Sequence, residues 1–475
     1  MAHRNGAWRI HMRIALLLPD GVGVRNFLLG GFLRQVGRRT ETHILHNIPE
    51  HLLNTYKCSQ NSNHYWYSLI QYQETPVSFT LRYCLDYAQM FWADTFGMRY
   101  NRSKKVKGAV RTRAARRFAR WVGRLAAAPD RIQLLDRQHC RVVERRPEVE
   151  YYRNLFQKIR PSVLFCSHQR PAIILPPVLA ARSLGIPTAI FIFSWDNLTS
   201  KGRIAAPFDH YLVWSEHMSG ELLRYYPDVA PDRVHIVGTP QFDPYSEESL
   251  LWSRQEFFQR VGANPSRPVI CYSGGDTGTC PEDQQHVRVL MELIRAGRIE
   301  GNPQVVLRPA PVDEGTRYDS VRHAYPEMIY APPSWIHTQP GDWSRSLPLP
   351  EDVQFLANLT FHSDLNINMA STMTLDFAIH DKPVVNIAFD VADPPPFGVP
   401  LWDFYYRYEH YRPVVELGAA RFARSSGELA EHVNAYLQDP SLDRDSRSKL
   451  VNLEVGHQVG QSSRKILQVL ESISR

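Results

Sequence analysis

The sequence predicts an α/β protein of two units, each a parallel sheet with helices on both faces. Three observations predict it. Short apolar runs alternate with helical patterns, the rhythm of strands buried on both sides. The rhythm ends near residue 245 and then restarts. The chain has 475 residues, 43% of them hydrophobic, which is too long for one ordinary domain and apolar enough for two cores.

In the first unit, residues 12–245, Ile14–Leu18 reads as a buried strand ended by Pro19-Asp20. A Gly21-Val-Gly23 loop, an amphipathic segment from Asn26 to Val36 and a strand at Thr42–Leu45 follow. Residues 47–160 interrupt the rhythm and read as a mostly helical insertion. Strands at Val163–Cys166, Thr188–Phe193, Tyr211–Trp214 and Val234–Val237 resume it, with a helix over Ala172–Leu184. The second unit, residues 246–440, opens with a strand at Pro268–Tyr272 and a helix at Gln285–Ala296. Strands at Gln304–Leu307, Asp364–Ile367 and Pro383–Ile387 alternate with helices at Asp352–Leu359 and Thr372–Ile379. Residues 428–437 read as a further helix, and 441–475 as a C-terminal helical segment.

Lys plus Arg number 55 and Asp plus Glu 48, a formal charge of +7 that matters only where it is concentrated. Six cysteines, Cys58 among them, are scattered without a CxxC pair, so neither a disulfide framework nor a zinc ribbon is expected. No stretch is apolar enough to span a bilayer. Residues 1–11 read as a polar extension, and Met12 could equally be the start. These features imply a cytoplasmic protein. HExxH, Walker and GxSxG motifs do not occur, and Asp443-Arg-Asp445 sits in a polar segment; no metal and no cofactor is expected.

Charge is concentrated in one place. Ser103 to Leu125 carries nine Lys or Arg and no acid. Val106, Val110, Ala114, Phe118, Trp121, Val122 and Leu125 recur at helical steps, with Arg113, Arg116, Arg117, Arg120 and Arg124 around them. Such a helix suits an anionic membrane surface, the apolar stripe entering the interface and the cations holding lipid phosphates. Packing on the protein with a solvated basic face is the alternative. Nucleic acid is not expected, since no RNA motif or basic DNA-binding module accompanies it.

The segment Ser363–Asp390 carries the chemistry. A strand ends near Asn368, Ser371, Thr372 and Thr374 open a helix that contains Asp376, and Lys382-Pro383 leads into the next strand. A helix start offers unpaired amides and a positive dipole end to a phosphate; ordinary capping by Ser or Thr is the other reading.

This pattern resembles the donor-binding half of GT-B glycosyltransferases, most closely the CDP-glycerol glycerophosphotransferase-like branch and related surface-polysaccharide enzymes. Ser371-Thr372 stand at that branch's Ser-Ser, and Asp376-Phe377 at its acid-aromatic pair; Met369-Ala370 depart from its Asp-Tyr. Phe193-Ser-Trp-Asp-Asn-Leu-Thr-Ser-Lys201 is similar to its Trp-His-Gly-Thr-Pro-Leu-Lys, with Trp195 and Lys201 in place and Asp196 where its proposed base, a His, stands. In Val306-Leu-Arg-Pro-Ala-Pro311 an Ala310 replaces another His. The resemblance covers roughly residues 160–390. It implies two Rossmann-like domains facing a central cleft, and leaves room for sugar transfer from a nucleotide sugar.

The site expected on this basis has Asp196 as general base, with an Asx-turn or cap carboxylate as the alternative. Ser273, Gly274, Gly275, Thr277, Arg308, Ser371, Thr372, Thr374 and Asp376 would hold the donor. Gly21, Gly23, His168, Trp195, Asn197 and Lys201 would face the acceptor. The expected partners are a nucleotide-sugar donor, a glycan or lipid-linked acceptor and, through 103–125, an anionic membrane at whose cytoplasmic face the protein is peripheral. A CDP-glycerol-type transferase, a sugar-nucleotide epimerase and a non-catalytic binding subunit are the rival readings.

Overall fold

The computed structural model describes residues 12–37, 40–57, 63–106, 108–338 and 346–474. The polar extension 1–11, Cys58 and Lys107 of the basic stretch lie outside them. The described chain divides between Thr239 and Pro240, and Gln461 onward belongs with the first unit.

The first unit is a parallel sheet of β1 (Met12–Leu18), β2 (Thr40–His46), β3 (His64–Ser68), β4 (Val163–Cys166), β5 (Thr188–Phe191), β6 (His210–Val213) and β7 (Val234–Ile236). Their spatial order is β3-β2-β1-β4-β5-β6-β7. Ile14–Leu18 are fully buried, as a central strand between two helical layers requires. β1 pairs with β2 on one side and β4 on the other, Leu17 opposite Cys166.

The second unit contains β8 (Val269–Ser273), β9 (Gln304–Arg308), β10 (Ile329–Tyr330), β11 (Trp335–His337), β12 (Ser346–Pro348), β13 (Leu365–Asn368), β14 (Val384–Ile387) and β15 (Arg421–Ala423). β11 and β12 form a separate antiparallel pair, and the others order as β10-β9-β8-β13-β14-β15. Both main sheets therefore reverse winding direction between their first and fourth strands. Such a reversal opens a crevice beyond the carboxyl ends of those two strands, where doubly wound sheets bind ligands.

Three expectations change. The segment 47–160 is not an interruption throughout, because β3 extends the first sheet. Its His-Tyr-Trp-Tyr-Ser sequence is half exposed at the sheet edge and so lacks a continuous apolar run. The stretch from Asn26 is not an α-helix; Val24–Leu29 winds as a π-helix, and a short helix Phe32–Gln35 follows. Residues 441–475 form two helices, Arg444–Glu454 and Ser462–Ile473, separated by Gly456 and Gly460 in the left-handed region. The first packs on the helix Met373–Ile379 and the second on Phe32–Gln35.

The rest of the insertion is helical. Thr75 caps the helix Pro76–Ala93 by accepting from the Ser78 amide, with Pro76 at its first position. The basic helix Val110–Leu125 packs on this one through its small residues, Ala119 and Gly123. A Cβ on Gly123 would lie 2.5 Å from Tyr87 Cβ and 2.9 Å from the Ala88 nitrogen. The large apolar residues Val110, Phe118, Trp121 and Leu125 consequently stay outside, 54–70% exposed. Val106 and Val122, expected on that outer stripe, are half-buried.

Candidate active site

At the winding reversal of the first sheet, β1 runs into Asp20 and β4 into Ser167-His168. Asp20 is buried; its Oδ1 accepts from the Gly23 amide at 3.0 Å, and its Oδ2 bonds His168 Nδ1. The turn fits because Gly23 has no side chain: a Cβ there would come within 2.4 Å of Ser167 Oγ. Gly21 and Gly23 are both buried in this turn. Burial by itself would raise the Asp20 carboxyl, but the imidazole's charge and hydrogen bond and the Gly23 and Val22 amides outweigh it, and its pKa lies below the ordinary value.

The His168 ring stacks obliquely on Phe193, centroids 4.0 Å apart. Its Nε2 has no partner among the described residues, and the side chain is 12% exposed. A carboxylate fixes one ring nitrogen and leaves the other available, which is the arrangement of a positioned general base. Asp20 was not among the expected site residues. Its signal was an acid directly after a buried strand and before Gly-x-Gly.

Asp196 lies in the turn after β5. Its Oδ1 accepts from Ser194 Oγ at 2.6 Å and Asn197 Nδ2 at 3.1 Å, its Oδ2 from Ser200 Oγ at 2.8 Å, and Lys201 Nζ is 3.5 Å away. The carboxylate thus knits its own turn and the helix Asn197–Ser200. Trp195 and Asn197 are buried at 2% and 3% exposure.

At the reversal of the second sheet, Ser273 of β8 pairs with Asn368 of β13, so the two following loops leave side by side. Ser273 is buried and its Oγ accepts from Asn366 Nδ2 at 2.7 Å. The Gly274 amide donates to the Arg308 carbonyl, and the Gly275 amide to Asp283 Oδ2 at 3.0 Å. A Cβ on Gly274 would meet Tyr318 Oη at 2.4 Å, and one on Gly275 would meet Cys280 Sγ at 2.3 Å. These glycines answer to packing within the unit. Asp283 is its hub, accepting also from the Tyr272 and Tyr318 hydroxyls at 2.5 Å each.

Arg308 differs from expectation. It is 5% exposed, with Nη2 at 3.0 and 3.1 Å from the two oxygens of Asp352. Asp352 in turn accepts from the Ser334 amide and Trp335 Nε1, both at 2.8 Å. This buried pair ties β9 to the helix Pro350–His362, and Arg308 Nη1, also buried, has no hydrogen-bond partner among the described residues.

The Ser371 segment divides likewise. Thr374 is buried, its hydroxyl 2.7 Å from Tyr411 Oη, and Asp376 is buried and accepts from the Tyr245 hydroxyl. Both are internal. Ser371 and Thr372 are half-buried and Thr277 is exposed, so these hydroxyls remain accessible at that sheet end. The Ser371 amide donates to Asn368 Oδ1 at 2.9 Å, and Ala370 before it has φ +46°. Among the described residues no His, Cys, Asp or Glu cluster has metal-binding geometry, and no helix is long and apolar enough to cross a membrane.

The sequence matches no protein-family model and no curated protein. Solved structures do share the fold. A putative UDP-N-acetylglucosamine 2-epimerase from Listeria monocytogenes superposes with a TM-score of 0.52 at 10% identity, over 98% of this chain and 96% of that one. A glycosyltransferase from Rickettsia africae ESF-5 gives 0.51 at 11%, over 97% and 98%. The UDP-GlcNAc 2-epimerase of Neisseria meningitidis bound to UDP-GlcNAc gives 0.50 at 10%, over 97% and 100%. At these identities the likeness concerns architecture, and the architecture is that of the GT-B fold: two α/β units, each on a parallel sheet.

Proposed function

We propose that this protein is a glycosyltransferase that moves a sugar from a nucleotide-sugar donor to a lipid-linked or growing surface-glycan acceptor. The observation that carries this reading is the Asp20–His168 pair at the winding reversal of the first sheet. In the proposed reaction His168 Nε2 takes the proton of the acceptor hydroxyl as that oxygen attacks the anomeric carbon of the sugar, whose bond to the donor's phosphate oxygen breaks and releases the nucleotide diphosphate with that electron pair. Asp20 holds Nδ1–H and stabilises the imidazolium that forms. This assigns the base to His168; Asp196, engaged by its own turn, orders the neighbouring loop. Ser371, Thr372 and Thr277 would hold the donor's phosphates, with Gly274 and Gly275 setting the path of the adjoining loop.

The exposed face of Val110–Leu125 supports an anionic bilayer as the place of work, at the cytoplasmic surface. Arg113, Arg117, Arg120 and Arg124 are exposed beside Phe118 and Trp121, a pairing of cations with interfacial aromatics that suits acidic headgroups.

The test is a thermal-shift screen against UDP-, GDP-, CDP- and dTDP-sugars, followed by product analysis with the donor that binds. A ligand at about 100 times its Kd adds about 2.7 kcal/mol of stability, enough to read directly. Sugar transferred to an acceptor supports the reading. Epimerised sugar nucleotide in the absence of acceptor would replace it with the activity named for the Neisseria meningitidis structure, and binding with no turnover would replace it with a non-catalytic subunit.

A further inference from the structure

A cavity of about 690 Å³ lies within the first unit, among the insertion helices and the loop Ser200–Ala205. Its wall carries seven cationic side chains against two carboxylates. Both carboxylates are already engaged: Asp136 takes Arg203 Nε at 2.9 Å, and Asp86 takes the Arg203 amide at 3.1 Å. Asp86 is crowded further by Gly202, where a Cβ would fall 2.1 Å from its Oδ1. The remaining cations include Lys105 and Arg170, both exposed, and Arg116, which lies over the Tyr83 ring at 4.6 Å with its buried Nε lacking an acceptor among the described residues.

A second observation is independent of the charge. His139 lines the same cavity, is 3% exposed, and its Nε2 has no partner among the described residues. A buried polar nitrogen without a partner is costly unless something entering the cavity bonds it. Cationic side chains and an unsatisfied ring nitrogen around one space fit the oxygens of a phosphate or diphosphate.

We infer that this cavity is a binding site for a phosphate- or diphosphate-bearing ligand, held by Lys105, Arg116, Arg170 and His139. The cavity wall includes the chain segment just beyond the proposed base. Arg170 lies two residues beyond His168, and the Ala205 amide donates to the Gln169 carbonyl at 2.8 Å. On the transferase reading, the phosphate is the acceptor's, and the cavity positions its sugar hydroxyl toward His168. Phosphate recognition itself does not depend on that reading. The phosphate could come from a lipid headgroup or from a soluble ester, since both present the same oxygens.

The experiment measures inorganic pyrophosphate binding to the full chain by calorimetry. Wild type should bind, and Lys105→Ala combined with Arg170→Ala should weaken binding about tenfold or more, with the unfolding midpoint of the ligand-free protein unchanged because both side chains are exposed. Lys105→Arg should bind as wild type. Absence of binding to wild type, or the same Kd for the double variant, overturns the site. Two competition arms then identify the source. Displacement of pyrophosphate by vesicles of phosphatidylcholine with phosphatidic acid, but not by phosphatidylcholine alone, assigns a lipid phosphate. Displacement by soluble glycerol phosphate with no effect of either vesicle assigns a soluble ester, and both results uphold the anion site. Pyrophosphate binding without any sugar transfer would keep this site while removing the transferase reading.

Discussion

Asp20 and His168, 148 residues apart in the chain, meet through one hydrogen bond where β1 and β4 end side by side. The bond places a polar pair at the strand end, and the far imidazole nitrogen has no partner among the described residues. Replacing His168 by Ala should lower turnover about 10²–10⁴-fold while leaving the urea unfolding transition cooperative. Asp20→Asn should cost less, because an amide oxygen can still accept from Nδ1–H but brings no charge to stabilise the imidazolium. Unchanged turnover in His168→Ala would remove the base from this position.

Asp20 also predicts acid sensitivity. Its folded pKa lies below the ordinary 3.8, so its contribution to stability is complete above that value and disappears as pH falls through the lower folded one. Urea midpoints at decreasing pH below about 4 should fall more steeply for wild type than for Asp20→Asn.

His46 works in a different window. Burial pushes its ring down to about 4 from 6.5, and its Nδ1 accepts the Ile48 amide at 3.1 Å, which requires that nitrogen to be unprotonated. The unfolded chain therefore binds the extra proton between these values, and stability falls as pH drops from 7 to 5, by up to about 2 kcal/mol for this ring. His46→Gln, which can still accept at that place, should flatten this part of the denaturation series.

The basic helix is held by absence of side chain at Gly123. Gly123→Ala should destabilise the protein by about 1–3 kcal/mol, because the nearest atoms include the Ala88 backbone and cannot swing away. Trp121→Ser, on the outer face, should leave the urea midpoint nearly unchanged and weaken binding to vesicles containing anionic lipid, most clearly at low salt.

Asp352→Asn should cost about 3–5 kcal/mol, since it leaves Arg308 buried without a counter-charge. Donor binding should survive in whatever fraction stays folded. Loss of nucleotide affinity without loss of stability would return Arg308 to the role of a phosphate ligand.

The strands were legible because buried parallel strands are written as local apolar runs: Val163–Cys166 and Val384–Ile387 are read almost residue for residue. β3 was not, because an edge strand half in solvent has no such run. Ser371 and Thr372 were legible as accessible hydroxyls after a strand, whereas the inward turn of Thr374 and Asp376 depended on Tyr411 and Tyr245, distant in sequence. The same holds for Arg308, whose acid partner lies 44 residues away.

By itself, then, the amino-acid order determined two wound α/β units, the basic amphipathic helix and the small set of polar strand ends at which ligands can bind. Periodicity and strand-end chemistry are local properties of a chain. The tertiary structure alone decided which polar groups are spent on one another and which are left over. Asp196 is saturated by neighbours and Arg308 Nη2 is held by Asp352, while Arg308 Nη1, His168 Nε2 and His139 Nε2 have no partner among the described residues. That distinction depends on which side chains folding brings within about 3 Å, and no local pattern encodes it.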